Sequence, residues 1–334
     1  MDTLMKAQIK RTNPGDEDFL NRLLSYLDQH ISATILAIEP IRPKVLFLKT
    51  SAGNFILKGY SSYTRLKLME SFTRRLKESG FTETYSYMAF PGLDPLYWDG
   101  LFYGCMEFIP PHPNTFNYYW EADRLNGARL LTKFHRISQT LEKEFQSTVP
   151  SASLLDKWEE RLDCFIANRK EIGRYLDETI VAELIEWANR ALDGMNVQER
   201  FLQAEMPAVL HGDVAHHNFI RSKTGKVFLI DFDLISIGSP AVDFLQYANR
   251  ILPYIRWSLK HLSKYTQIAP YLYNKGFLYG LVYPSDILRE WNRVMRERNP
   301  PDAVRLKQVL DQTMYQYDAR RKFVFDVKEK IKSG

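Results

Sequence analysis

Cysteine is almost absent from this sequence: Cys105 and Cys164 are the only two in 334 residues. That excludes a disulfide scaffold and any cysteine-based zinc spacing, and it favours a reducing compartment. Long apolar runs are missing too. The most apolar stretches cover about six to eight residues, far short of the roughly 20 that cross a bilayer. The first residues lack the apolar segment of a secretory signal. Neither sign of charge dominates, with 45 Lys and Arg against 40 Asp and Glu and a formal net charge of +5. The basic residues are scattered and accompany no recognition motif, so they do not read as a nucleic-acid footprint. Low-complexity segments, internal repeats and heptad tracts are absent as well.

What is present is a change of period along the chain. Residues 16–30 read as an amphipathic helix, with Phe19, Leu20, Leu23, Leu24 and Leu27 on one stripe. Residues 33–38, 45–50 and 54–60 read as β segments. Glu39-Pro40-Ile41-Arg42-Pro43-Lys44 joins the first two and Ser51-Ala52-Gly53 the last two. A helix over 63–79 ends at Gly80, and β segments at 84–90 and 96–109 follow, the second divided at Asp99-Gly100. Pro110-Pro111-His112-Pro113 breaks this pattern. Helices are expected at 116–144, 154–174, 178–194 and 197–204, then short β runs at 208–210 and 226–231. From Pro240 onward the chain is again mainly helical. The expected fold class is α+β, with an antiparallel-sheet lobe over 1–109 and a larger helical lobe over 110–334.

The densest chemistry lies in His211-Gly212-Asp213-Val214-Ala215-His216-His217-Asn218, followed by Ile230-Asp231-Phe232-Asp233. Singly, Asp213, Asn218 and Asp231 could each do no more than cap a turn. Together they supply what phosphoryl transfer asks of a protein: a carboxylate to orient a hydroxyl, and an amide and a second carboxylate for Mg²⁺. Asp213 is the candidate catalytic base, and Asn218 and Asp231 are the candidate metal ligands. Asp233 is placed to help with a second ion or to hold the loop. His211 is expected to support the loop through a hydrogen bond. His216 and His217 are expected to face substrate or pack, a transition-metal set with His211 being the alternative.

Lys58 alternates with apolar neighbours in Phe55-Ile56-Leu57-Lys58-Gly59 and is the candidate phosphate clamp of a nucleotide. Glu70 on the following helix is its expected positioning carboxylate, with Glu78 second. Met106 and Phe108, at the end of the sheet-rich portion, would shape an apolar slot for a purine bound through the connector backbone. The plain alternatives are a solvated strand lysine and an edge strand with its linker.

These motifs resemble the aminoglycoside phosphotransferase and choline-kinase branch of the protein-kinase-like fold, and the resemblance covers most of the chain. It implies a two-lobed kinase-like architecture and Mg²⁺-dependent transfer of a phosphate from ATP or GTP to a hydroxyl of a small molecule or saccharide. By the same resemblance Asp213 is the base, Asn218 and Asp231 the Mg²⁺ ligands, and Lys58 the phosphate-binding lysine. Asp243, in Gly238-Ser239-Pro240-Ala241-Val242-Asp243-Phe244, would brace the helical lobe without reacting. More narrowly, residues 211–220 and 228–254 look like the spore-coat CotS/YutH-type proteins. That likeness implies cytoplasmic synthesis, a coat or forespore location, and other coat proteins as partners. One departure stands out: the connection between the first two strands has two prolines and no glycine, so it offers fewer backbone N–H groups to phosphate. Arg42 or Lys44 could compensate by charge.

Two function classes follow. One is a kinase whose acceptor pocket is built from the 116–204 region, where Tyr118, Tyr119, Trp120, Glu121 and Asp123 cluster. A cationic sugar, an amino alcohol or a surface polysaccharide would suit it. The other is a coat component that keeps the kinase-like fold with little turnover.

Overall fold

The computed structural model describes residues 8–9, 14–30, 33–89, 96–198, 206–297 and 302–333. The chain forms an α+β fold with an antiparallel-sheet amino-terminal lobe and a larger helical lobe. It divides into two compact units. One holds the described residues of Met1–Phe116 together with Phe219–Asp233, and the other holds Asn117–Asn218 with those of Leu234–Gly334.

The first unit runs β1 (Gln8–Ile9), α1 (Pro14–His30), β2 (Ile35–Arg42), β3 (Val45–Thr50), β4 (Gly53–Tyr60), α2 (Tyr63–Glu78), β5 (Tyr87–Met88), β6 (Leu96–Trp98) and β7 (Leu101–Glu107). The sheet order is β1-β2-β3-β4-β7-β5, with β6 also paired to β7. Only the short β1–β2 pair is parallel. The apolar stripe of α1 (Leu20, Leu23, Leu24 and Leu27) is buried against Ile35, Ile38, Leu46, Leu48 and Leu57 of the sheet. Each such leucine contributes about 1.5–3 kcal/mol on burial. Asp99 and Gly100, both at positive φ, turn β6 into β7, as Asp-Gly does in tight hairpins. Helix α2 starts on a Ser62 cap and stops before Gly80, whose φ of +99° only glycine adopts readily.

Between β2 and β3 the structure differs from the expected six-residue connection. Glu39–Arg42 continue the strand, so the turn is only Pro43 and Lys44, with Lys44 at a φ of +64°. Pro40 pairs with Leu46 beside a register shift, beyond the last β1 pairing at Ile38, where its missing N–H interrupts the sheet least. The same unit holds a hairpin of two short strands, β9 (Phe219–Arg221) and β10 (Val227–Leu229). Asp231 therefore lies two residues past a strand that ends at Leu229.

The second unit opens with α3 (Glu121–Ser138), α4 (Glu142–Phe145), α5 (Leu154–Ala167), α6 (Arg169–Ile172) and α7 (Glu178–Val197). The helix expected over 197–204 falls mostly outside the described residues. Strand β8 (Ala208–Leu210) pairs antiparallel with β11 (Ser236–Gly238). Then come α8 (Pro240–Ile251), α9 (Leu259–Leu262), α10 (Lys275–Val282), α11 (Ser285–Glu297), α12 (Ala303–Met314) and α13 (Tyr317–Ser333). Helix α8 begins with a Ser239 cap and Pro240 in its first turn, a favoured start because neither position needs an N–H inside the helix. No described helix is long and apolar enough to cross a membrane. Both cysteines are free thiols, and burial pushes that of Cys105 up to about 12.

Candidate active site

In the second unit, β8 delivers the chain into the loop that carries Asp213. Val209 and Leu210 are fully buried, as are His211 and Val214, so the loop is anchored on both sides of Asp213. Its floor is Asp243, a fully buried carboxylate on α8. Asp243 accepts hydrogen bonds from the backbone N–H of His211 (2.7 Å) and of Gly212 (3.0 Å), and contacts His135 Nε2 at 2.9 Å. Burial alone would raise the Asp243 carboxyl. The hydrogen bond and charge of His135, with the charge of His211, outweigh it and hold the carboxyl below the ordinary aspartate range. Asp243 thus braces the loop. Gly212 sits at a φ of +77°, and a Cβ there would lie 2.1 Å from the Leu234 carbonyl oxygen, so the loop admits only glycine.

Above that floor Asp213 and Asn218 are joined. Asn218 Nδ2 donates to the Asp213 carbonyl (2.8 Å) and to its carboxylate Oδ2 (3.2 Å). With Nδ2 so committed, Asn218 Oδ1 is buried and has no hydrogen-bond partner. A buried acceptor without a donor costs free energy and fits a cation ligand. His211 Nδ1 accepts from the Asp213 N–H at 3.3 Å, the supporting role expected of it. The loop is pinned again where Tyr118 donates its hydroxyl proton to the Val214 carbonyl at 2.6 Å.

Sequence reasoning missed Arg250. Its guanidinium donates to Asp213 Oδ1 at 2.6 Å, and both side chains are partly buried. A signal was available, because Arg250 lies seven residues, two helical turns, after Asp243 and so shares a face of α8 with it.

In the first unit, Ile230-Asp231-Phe232-Asp233 follows β10. Phe232 is fully buried between Phe72 (ring centroids 5.5 Å) and Tyr85 (6.0 Å), which anchors the segment between its two carboxylates. Asp231 has a φ of +70°, a left-handed conformation that aspartate tolerates better than most residues. Lys58, buried on β4, brings its Nζ to 2.7 Å from Asp231 Oδ1 and 2.7 Å from Asp233 Oδ2. Arg42 approaches Asp231 Oδ2 at 3.7 Å, and Arg65 donates to the Asp233 carbonyl. Asp233 Oδ1 is buried without a partner. Burial pushes the Tyr60 phenol far above its ordinary range, with Tyr85 and the Asp233 charge adding to the effect. Tyr60 is therefore a neutral partner of the Tyr87 hydroxyl (2.6 Å), with its ring 5.6 Å from Lys58 Nζ.

The structure thus brings Asp213 together with Asn218, and Lys58 with Asp231. It does not bring Lys58 to Glu70, which pairs with Lys67 one turn away at 2.9 Å. Glu78 is engaged by Arg74 and Arg75. Two carboxylates following β10 satisfy the Lys58 ammonium, so no helix carboxylate is needed to hold it. Gly104, opposite Lys58 in the register, leaves room for the Tyr87 ring: a Cβ there would stand 2.5 Å from it. Met106 is buried in β7 opposite Ile56, and Phe108 packs on Phe47 at 4.9 Å.

A cavity of about 840 Å³ lies wholly within the second unit, and Asp213, Gly212, His216 and Arg250 are in its wall. Tyr118 and Tyr119 line it, whereas the expected Trp120, Glu121 and Asp123 do not. Asp123 is buried and spends its carboxylate on the Asn117 N–H (2.9 Å), closing the turn before α3. Among the described residues no group of three or more His, Cys, Asp or Glu side chains is arranged to hold a metal, so the alternative of a transition-metal set at His211, His216 and His217 gains no support. A Mg²⁺ site is a different case, since it commonly takes one or two protein carboxylates and completes its shell with water and substrate phosphates.

The model of the phosphotransferase enzyme family matches residues 41–259, more than half of the chain. No curated protein matches the chain by sequence. Among solved structures, the chain resembles an aminoglycoside phosphotransferase from Alicyclobacillus acidocaldarius subsp. acidocaldarius DSM 446. The TM-score is 0.71 at 17% identity, over 93% of this chain and 96% of that one. It also resembles the GDP complex of aminoglycoside 2'-phosphotransferase-IIIa (TM-score 0.57, 13% identity, 92% and 98% covered). A third likeness is to the AMP-bound complex of spectinomycin phosphotransferase (TM-score 0.54, 15% identity, 93% and 97% covered). At these identities the likeness to solved structures is one of fold. With the family match, the braced Asp213 loop and the two-lobed α+β architecture in agreement, the chain belongs to the phosphotransferase enzyme family.

Proposed function

We propose that this chain is a Mg²⁺-dependent kinase that moves the γ-phosphate of ATP or GTP to a hydroxyl of a small molecule or saccharide. The observation that carries the reading is the Asp213–Asn218 pair: one amide nitrogen orients the carboxylate while the amide oxygen stays buried and unpartnered. In this reading Asp213 orients the acceptor hydroxyl and takes up its proton. Arg250 fixes the carboxylate from the other side. Asn218 and Asp231 are assigned as the Mg²⁺ ligands, and Lys58 as the residue that binds the donor phosphates. When bound, Mg²⁺ supplies charge neutralisation on those phosphates. Met106 and Phe108 are assigned to the purine slot and Glu70 to its surroundings. Residues 1–109 then form the nucleotide-binding portion, and residues 110–334 carry catalysis and acceptor binding.

The solved relatives named for AMP or GDP complexes support a nucleotide donor by fold analogy alone. We also assign the chain to the spore-coat CotS/YutH-type group, with a coat or forespore location and coat proteins as partners. That assignment rests on the residues at 211–220 and 228–254.

Two observations favour the second reading, a kinase-like coat protein with little turnover. Lys58 is held by both Asp231 and Asp233, and the first turn of the sheet is Pro43-Lys44 without glycine. Isothermal titration calorimetry of the full chain with ATP or GTP separates the two. Mg²⁺-dependent binding of either nucleotide is expected. No binding of either at millimolar concentration overturns the kinase reading and leaves the structural one.

A further inference from the structure

The wall of the 840 Å³ cavity beside Asp213 is strongly cationic. Six basic side chains line it (Lys157, Arg161, Arg250, Arg256, Arg289 and Arg320), against two carboxylates, Asp213 and Asp286. The two carboxylates are already taken. Arg250 holds Asp213, and Arg320 makes a two-pronged contact to Asp286 (2.9 and 2.6 Å) while stacking on the Trp257 ring at 4.1 Å. Arg289 leans on Glu290 at 2.9 Å. That leaves Lys157, Arg161 and Arg256 with no carboxylate partner among the described residues. Arg161 is the most telling of the three. It is partly buried, and among the described residues its guanidinium donates only to Ser285, through the carbonyl oxygen (3.3 Å) and the hydroxyl. Burial holds its guanidinium below the ordinary arginine range; the Arg289 and Arg250 charges push the same way, and Tyr283 and the Asp286 carboxylate offset only part of this. Taking a cation partly out of water with no direct ion pair, while Asp286 is held by Arg320, is costly, so a guanidinium kept in this position is a site that an oxyanion would complete.

The geometry points to an acceptor that carries a carboxylate or phosphate as well as the reacting hydroxyl, an anionic sugar in place of an aminoglycoside or amino alcohol. Arg161 binds the anionic group, Lys157 and Arg256 add to the field, and the hydroxyl reaches Asp213 on the same cavity wall. Tyr119, Tyr254 and Tyr315 supply aromatic surface along the wall, the kind on which a saccharide ring rests. The volume lies high in the range of about 300–1,000 Å³ found for ligand pockets and well exceeds what a choline-sized alcohol fills. A cationic acceptor would meet uncompensated like charge there.

This inference rests on the phosphotransfer reading of Asp213, and the test keeps the two apart. Binding of glucuronate, glucose 6-phosphate, glucose and glucosamine to the full chain is measured by calorimetry at low ionic strength, alongside Mg²⁺-ATP and Mg²⁺-GTP. One charge-assisted contact predicts that the two anionic sugars bind about tenfold or more tightly than glucose, and glucosamine no better than glucose. Arg161→Gln, folded by circular dichroism, is expected to lose that preference, and Arg161→Lys to keep part of it. Equal affinity for the four sugars overturns the inference. So does no measurable binding of the anionic pair at millimolar concentration, a preference for glucosamine, or an Arg161→Gln variant that still prefers the anions. Should the anionic preference appear while neither nucleotide binds, the pocket assignment stands and the kinase reading fails. The converse leaves the kinase reading and removes the anionic acceptor.

Discussion

The two acidic motifs are held in opposite ways. The Asp213 loop is gripped from beneath by backbone N–H groups on a fully buried carboxylate, Asp243, with a glycine at the one place where a side chain would strike backbone. The Asp231–Asp233 segment is gripped from the side by long cationic stems (Lys58, Arg42 and Arg65), with its carboxylates partly exposed. Backbone donors on a buried acceptor define a geometry that neither salt nor ligand readily exchanges. Ammonium and guanidinium groups on flexible stems define a charge balance, which salt screens and a phosphate can compete for. The first arrangement suits a group that must be positioned, and the second suits groups that must trade partners when a polyanion arrives.

The sharpest way to break the contrast is to remove the brace. Asp243→Ala leaves two buried N–H groups without an acceptor and is expected to cost about 3–5 kcal/mol of stability, read from chemical denaturation. The same residue sets an acid limit. Its folded-state value lies below its unfolded one, so it contributes stability above about pH 3.9 and loses it as the pH falls through the folded value. In Asp243→Asn that acid-side loss should be smaller, which denaturation at pH 3 and pH 6 measures.

On the other side, Lys58→Met should change stability by about 1 kcal/mol or less, since its partners are partly exposed and the pairs are screened. Nucleotide affinity should fall nonetheless, and calorimetry on the folded variant reads both. Arg42→Gln is the smallest change: less than about 0.5 kcal/mol in stability. A large loss of stability at Lys58 would erase the distinction between the two grips.

How much of this could be read from the sequence follows the same division. Periodicity revealed the α1 stripe, the β3 and β4 strands and the α2 stop at Gly80, because local pattern encodes them. The Asp213 to Asn218 spacing was legible because five residues of one loop keep both side chains near each other. Strands β9 and β11, three residues each, carry too little pattern to register. The Lys58 partnership with Asp231 and Asp233 spans more than 170 residues, whereas Glu70 looked nearer in sequence and is claimed by Lys67. The wall of the cavity beside Asp213 is only partly the one expected, with Tyr118 and Tyr119 but not their acidic neighbours, for a related reason. Glu121 and Asp123 cluster in sequence, but Asp123 is consumed by its own turn, while Arg161, Arg250 and Arg289 converge from three helices.

The central claim is that Asp213 orients the attacking hydroxyl, and release or transfer of the γ-phosphate from Mg²⁺-ATP or Mg²⁺-GTP by wild type and Asp213→Ala tests it most directly. Loss of a general base predicts turnover lower by about 10²–10⁴-fold in the variant, with circular dichroism and nucleotide affinity nearly unchanged. Turnover by Asp213→Ala at the wild-type rate would contradict the account.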